Sequence, residues 1–198
     1  MRILTISAAV VLVALIVGTR LWPTIERVEV LGNVHHARAE VLRLADIAPG
    51  DPFLWVTRFS LRALERDPWI LHTRVTRHWP DTIAVVVRER VPVLSDGAIG
   101  WAMDGTALPG VQAEVLAQLP RLTGWGTPRL EEALDLLAML SAYGVEVITY
   151  TPEGFEVQLA EAVLITPSVE ALRMQWSAFE SQRGRRVAVY PWGVSSAP

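Results

Sequence analysis

No charged residue occurs between Arg2 and Arg20: Ile3 to Thr19 is dense in Val, Leu, Ile and Ala, and Trp22 and Pro23 follow at once. Counted through Trp22, the run makes a helix about 30 Å long at roughly 1.5 Å per residue, the thickness of a bilayer's hydrocarbon core. It reads as a transmembrane helix, with Ile3, Val11 and Leu15 in the span, Arg20 snorkelling and Trp22 among the headgroups. A cleaved signal peptide is the alternative. The run is longer than a usual signal core and lacks small-x-small residues around Gly18 and Thr19, which favours a retained anchor. Nothing after Pro23 is comparably apolar. The expectation is an anchor at residues 1–23 with its N-terminus in the cytoplasm and an extracytoplasmic body.

Past the anchor the pattern changes to short periods. Ile25 to Leu31 alternates, with Val28 and Val30 on one side and Arg27 and Glu29 on the other, as in a half-buried strand, and Gly32-Asn33 ends it. Ala37 to Ala45 places Ala37, Val41, Leu44 and Ala45 on one helical face before the break Pro49-Gly50-Asp51-Pro52. Thr57 caps an expected second helix that turns Leu61 and Leu64 inward and closes at Asp67-Pro68. Ile70 to Trp79 and Thr82 to Arg90 read as strands joined at Pro80-Asp81. The order is β-α-α-β-β, and a boundary is expected near Pro92, giving domains at residues 24–93 and 94–198.

The second stretch opens with a hairpin signal, Met103-Asp104-Gly105-Thr106. Thr127-Pro128 starts a helix that buries Leu130, Leu134, Leu137 and Leu140 and stops at Gly144. Strands are expected at Val145–Tyr150, Phe155–Leu159 and Val163–Ile165. A last helix opens near Thr166-Pro167 or Ser168 and aligns Val169, Leu172, Trp176 and Phe179. Val187 to Val194 then has strand character. The fold class is α+β: a transmembrane helix, a β-α-α-β-β domain, and a mixed, β-rich α/β domain.

The ordered words Val28, Val30, Gly32 and Asn33, then Gly50, Pro68-Trp69, Arg77-His78-Trp79-Pro80-Asp81-Thr82-Ile83 and Arg88-Glu89-Arg90-Val91-Pro92 resemble the polypeptide-transport-associated (POTRA) domain of the bacterial cell division family FtsQ/DivIB. Leu119-Pro120-Arg121-Leu122-Thr123-Gly124 looks like that family's Leu-Pro-x-Leu-x-Gly step, and the second domain resembles its β domain. The resemblance implies a non-enzymatic, bitopic protein of the inner membrane at the septum. It would recruit the division proteins FtsB and FtsL and engage others through the POTRA domain. A partner-binding strand is implied at Val187, Val189, Tyr190, Trp192 and Gly193, where only Tyr190 and Gly193 keep the family's places and Pro191 interrupts ladder bonding. The tail beyond Gly193 is expected to leave that strand's edge open.

Composition changes this picture little. The chain has 198 residues, a formal net charge of −3 and no cysteine, so a disulfide framework and thiolate chemistry are excluded. All eighteen basic residues are Arg, interleaved with acids from Ala37 to Arg90, whereas only Arg121, Arg129 and Arg173 oppose twelve carboxylates between Val91 and Gln182. Such a body is a poor nucleic-acid binder.

The titratable residues converge on no catalytic set. His35 and His36 read as solvated or capping side chains, and His72 and His78 lie about 20 Å apart along one strand at roughly 3.3 Å per residue. Glu131, Glu132 and Asp135 favour the positive end of a helix. Glu89 is expected to pair with an arginine, and Trp69 and Trp79 to pack between helix and sheet, while Trp192 suits partner contact. Neither a cofactor nor a metal is called for. The rival functions are a POTRA-bearing protein of outer-membrane assembly or secretion, which would carry tandem repeats or a barrel, and an anchored envelope hydrolase, which would need a convergent His, Ser or carboxylate set.

Overall fold

The computed structural model describes residues 11–19, 23–124, 127–182 and 184–197, and the chain divides into two compact units, Met1–Arg90 and Val91–Pro198. Residues 11–19 are helical, with Val11 and Leu15 exposed. Ile3 and Trp22, the expected ends of the span, lie outside the described residues. Among the described residues no helix is long and apolar enough to cross a membrane.

In the first unit three strands, β1 (Arg27–Leu31), β2 (Ile70–His78) and β3 (Thr82–Glu89), form a sheet of order β1-β3-β2. The central strand is the most apolar, as it must be: β3 pairs parallel with β1, Val28 beside Ile83, and antiparallel with β2, Val75 beside Val85. The helix α1 (Arg38–Ala45) buries Val41 and Ala45, and its chain leaves through Asp46 in the left-handed conformation, φ 52°. Ile83, Val85 and Val87 of β3 alternate inward to meet Val41, Ile47, Phe53, Leu61 and Leu64.

The expected second helix is replaced by 3-10 turns at Phe53–Trp55, Arg58–Leu61 and Leu64–Arg66. Thr57 does cap, its Oγ1 accepting the Phe59 N–H at 3.2 Å while Ser60 Oγ accepts the Thr57 N–H at 3.4 Å. Pro52 and Pro68 confine the segment, and Leu61 and Leu64 stand three apart. That spacing eclipses side chains in a three-residue turn, so both leucines are buried without an α-helix.

The second unit is a nine-stranded sheet of order β12-β11-β10-β9-β8-β7-β4-β5-β6. The strands are β4 (Pro92–Ser95), β5 (Gly100–Ala102), β6 (Ala107–Leu108), β7 (Arg121–Gly124), β8 (Val145–Thr151), β9 (Gly154–Leu159), β10 (Val163–Thr166), β11 (Arg186–Tyr190) and β12 (Gly193–Ala197). Helices α2 (Ala113–Leu116), α3 (Leu130–Met139), α4 (Val169–Met174) and α5 (Trp176–Glu180) lie between them. Ala133, Leu134 and Leu137 of α3 and Leu172 of α4 pack on Ile148, Val157, Leu164, Val187 and Val189.

The last helix, expected as one, is two: Ser168 caps α4 by accepting the Ala171 N–H at 3.2 Å, and Gln175 separates α4 from α5. A larger correction concerns the end of the chain. Residues Gly193–Ala197 pair antiparallel with Arg186–Tyr190 along the whole length of β11, and β10 takes its other side. The edge of β11 is therefore covered, and the sheet ends at β12.

Candidate partner-binding site

The terminal hairpin β11–β12 forms one border of the nine-stranded sheet. Tyr190 pairs with Gly193, so Pro191 and Trp192 make a two-residue turn in which the proline has no ladder bond to give up. Val187 and Val189 point into the core, where they hold β11 in register. Tyr190 is half-buried, and its ring stacks on that of Trp192, centroids 5.1 Å apart and planes within 7°. Trp192 is 81% exposed. Gln175 Nε2 reaches back from between α4 and α5 to donate to the Pro191 carbonyl at 3.0 Å, fixing the turn.

The candidate site thus has two parts. An aromatic pair projects at the turn, and the outer backbone edge of β12 runs beside it. An edge strand offers unpaired N–H and C=O groups to an incoming strand, and a neighbouring Trp supplies apolar area that a partner can bury. Sequence reasoning named Tyr190 and Trp192 separately and located the open edge one strand too early. Val194-Ser195-Ser196-Ala197 carries almost no apolar alternation, so β12 is visible only once the turn folds it against β11.

The motif residues of the first unit sort to the two ends of its sheet. At one end Glu89, last in β3, faces the turn after β1. Its carboxylate accepts the backbone N–H groups of Val34 at 2.8 Å, His35 at 2.5 Å and His36 at 3.0 Å. Partial burial pushes this carboxyl up, but the His35, His36 and Val34 N–H groups and the charge of His36 outweigh it and hold the carboxyl below its ordinary value. Its described partners are backbone donors in place of the expected arginine.

Asn33 Nδ2 closes the same turn on the His36 carbonyl at 2.9 Å. The His35 ring stacks on Trp69, centroids 3.5 Å apart, and His36 is buried with Nε2 3.2 Å from Asp67 and Nδ1 3.5 Å from Glu40. Both histidines are more engaged than solvated or capping side chains, and nothing in the local sequence signals it, because Trp69 and Asp67 come from a distant turn. Arg90 donates to the Pro68 carbonyl at 3.0 Å and the Ile70 carbonyl at 2.5 Å, tying the end of β3 to the start of β2.

At the opposite end Arg77 donates to the Val56 carbonyl, and Trp79 lies edge-on to Phe53, centroids 5.9 Å apart, just before Pro80. Trp79 is exposed, where packing between helix and sheet was expected. Gly50 holds the neighbouring turn, its N–H donating to the Ile25 carbonyl at 2.7 Å. Pro92 opens β4 in the second unit. Among the described residues no group of three His, Asp or Glu side chains is placed to hold a metal ion.

Residues 24–90 match the family model of the POTRA domain, FtsQ-type. The chain is similar to the cell division protein FtsQ of Syntrophotalea carbinolica, 39% identical over 89 residues that cover 42% of this chain and 31% of that protein. Against FtsQ of Geobacter sp. strain M21 it is 30% identical over 139 residues, 61% of this chain and 50% of the relative. Against FtsQ of Streptomyces coelicolor it is 36% identical over 99 residues, 46% and 37% of the two chains. The matched stretch spans between about a third and a half of these relatives. A three-stranded sheet whose turns are closed by Asn33, Glu89 and Arg90, and an FtsQ-type POTRA match over that same unit, identify residues 24–90 as a POTRA domain of the FtsQ type.

Proposed function

We propose that this protein is a membrane-anchored scaffold of the bacterial division apparatus that acts by binding and carries out no reaction of its own. The observation that carries the reading is the FtsQ-type POTRA match at residues 24–90, directly behind an uncharged apolar run at Ile3 to Thr19. Such a run, followed by a polar body, favours one span with the body outside the cytoplasm.

The second unit provides the docking edge. FtsB-type and FtsL-type division proteins bind at the β11–β12 hairpin, one of them adding a strand to β12 while Tyr190 and Trp192 cover its apolar side chains. Other division proteins engage the POTRA unit. Confinement to the membrane plane raises the local concentration of partners that are themselves anchored, so modest affinities suffice.

The test has two readouts on the full chain. A reporter active only outside the cytoplasm should work when fused after Pro198 and fail when fused before Met1, and the reverse pattern would overturn the orientation. Crosslinking in membranes followed by purification should recover FtsB-type and FtsL-type chains. Recovery of outer-membrane assembly proteins in their place would transfer the protein to the rival function.

A further inference from the structure

The first unit carries exposed apolar side chains on the loop to which the entering chain is bound. Leu54, Trp55, Phe59 and Trp79 are all exposed, Phe59 at 67% and Trp79 at 65%. Leu54, Trp55 and Phe59 come from successive 3-10 turns and Trp79 follows β2; Leu54 and Trp79 line one hollow with Pro23, where the entering chain is stitched to this loop. The Pro23 carbonyl accepts the Phe53 N–H at 3.0 Å, Thr24 bridges Pro52, and the Ile25 N–H donates to the Asp51 carbonyl at 2.9 Å. Pro23 lies three residue steps from Arg20, a reach of at most about 11 Å. Wherever the apolar run leaves a bilayer, this loop is held beside it.

The described part of the helix confirms the proximity. Leu15 and Thr19 share with Pro23, Leu54 and Trp79 an open hollow of about 570 Å³. Leu15 and Thr19 belong to the last turns of the uncharged run, so in an anchored chain they lie at the level of the outer leaflet. Side chains flanking them are then at lipid depth as well. Between Asp51 and Glu65 the charged residues are Arg58 and Arg62, with no acid among them, and the Arg62 guanidinium lies 4.4 Å over the Phe59 ring. Indole rings and the Arg62 guanidinium beside exposed apolar side chains match a bilayer interface that is apolar below and anionic above.

We propose that the face formed by Leu54, Trp55, Phe59 and Trp79 docks on the lipid surface, seating the POTRA unit against the membrane from which it emerges. The proposal rests on the membrane-anchor reading above. Docking fixes the tilt of the unit, so the opposite end of the sheet, with the turn around Val34 and Glu89, faces away from the bilayer and is presented to partners.

The natural absence of cysteine makes the test direct. Phe59→Cys and Val34→Cys variants of the full chain, each labelled with the environment-sensitive fluorophore NBD, are reconstituted in vesicles of phosphatidylethanolamine and phosphatidylglycerol. Val34 is 91% exposed, and its N–H is held by Glu89, at the end of the sheet opposite Trp79. A nitroxide-bearing lipid should quench the probe at position 59 at least twofold and leave that at position 34 unchanged. Adding Leu54→Glu and Trp79→Glu should return position 59 to the level of position 34.

A chain that fails to float with the vesicles would overturn the anchor reading and the docking with it. A chain that floats but whose probe at 59 is no more quenched than at 34 would overturn the docking alone. So would retained quenching in the doubly substituted chain. A blue shift at 59 that grows with protein density without lipid quenching would assign the face to a second copy of the chain and would also overturn the proposal.

Discussion

Glu89 takes three backbone N–H groups that no helix or strand would otherwise satisfy, and in doing so it fixes the turn carrying Val34, His35 and His36 onto the end of β3. Those donors stabilise the charged carboxylate, so the folded protein binds its proton less readily than the unfolded chain does. Its contribution is therefore complete above the ordinary value of 4.5 and is lost as the pH falls below it. Glu89→Gln should cost about 1–3 kcal/mol near neutral pH, because an amide answers three donors poorly. The same variant should show a shallower loss of stability below pH 4.5 than the parent. Urea titrations at several pH values decide it, and parallel acid slopes would remove Glu89 from the pH response.

Gly32 sits beside this turn at φ 80°, and a Cβ built on it would stand 2.2 Å from the Val87 carbonyl oxygen of β3. Gly50 has a similar left-handed backbone, φ 95°, but open space around it. The pair separates two effects. Gly50→Ala should cost about 1 kcal/mol, the left-handed penalty alone, whereas Gly32→Ala adds a collision with backbone and should cost about 2 kcal/mol more. Equal losses in thermal melts would show that the β1–β3 contact relaxes around the methyl group.

Elements were legible in proportion to how much of their stability is local. Strands β2 and β3 could be read because their alternation is strong and Pro80-Asp81 marks the reversal. The segment from Thr57 to Asp67 had a good cap and inward leucines, yet its length and its three-residue leucine spacing led to 3-10 turns. Strand β12 had no apolar signature and owes its existence to the Pro191-Trp192 turn and to β11. For the same reason the sequence points to β11 as the edge, since only pairing reveals which strand ends a sheet.

That hairpin sets the prediction at this scale. Trp192 is exposed, and among the described residues its ring contact is with Tyr190, so Trp192→Ala should leave the circular dichroism and melting temperature of the protein nearly unchanged. On the docking proposed above, binding of an FtsB-type chain should nevertheless weaken at least about tenfold, as for a central interface tryptophan. Tyr190→Asp should weaken it further by placing a charge beside the added strand. Undiminished binding by both variants would direct the search to the other border of the sheet, at β6.

At the scale of the whole molecule, each unit has an apolar centre of its own. In the first, Ile25, Val28, Val41, Phe53, Leu64, Ile83 and Val85 are buried together, and in the second Leu94, Leu136, Ile148, Phe155 and Leu164 are. The division falls between Arg90 and Val91, three residues before the end at Val93 expected from the sequence, and Arg90 spends its guanidinium on carbonyls of its own unit. We propose on this basis that the POTRA unit is an independent folding domain. A fragment from Thr24 to Val93 retains the three strands, α1, the 3-10 turns and the Glu89 and Arg90 contacts, while the exposed Trp79 face lies outside its core. It should unfold cooperatively, with a stability of only about 3–5 kcal/mol, because a body this small buries little surface relative to its length. Coincident urea transitions by tryptophan fluorescence and far-ultraviolet circular dichroism would establish this. A broad, non-coincident transition would mean that the POTRA core is completed by residues after Val93, and the second unit would then be energetically part of the same domain.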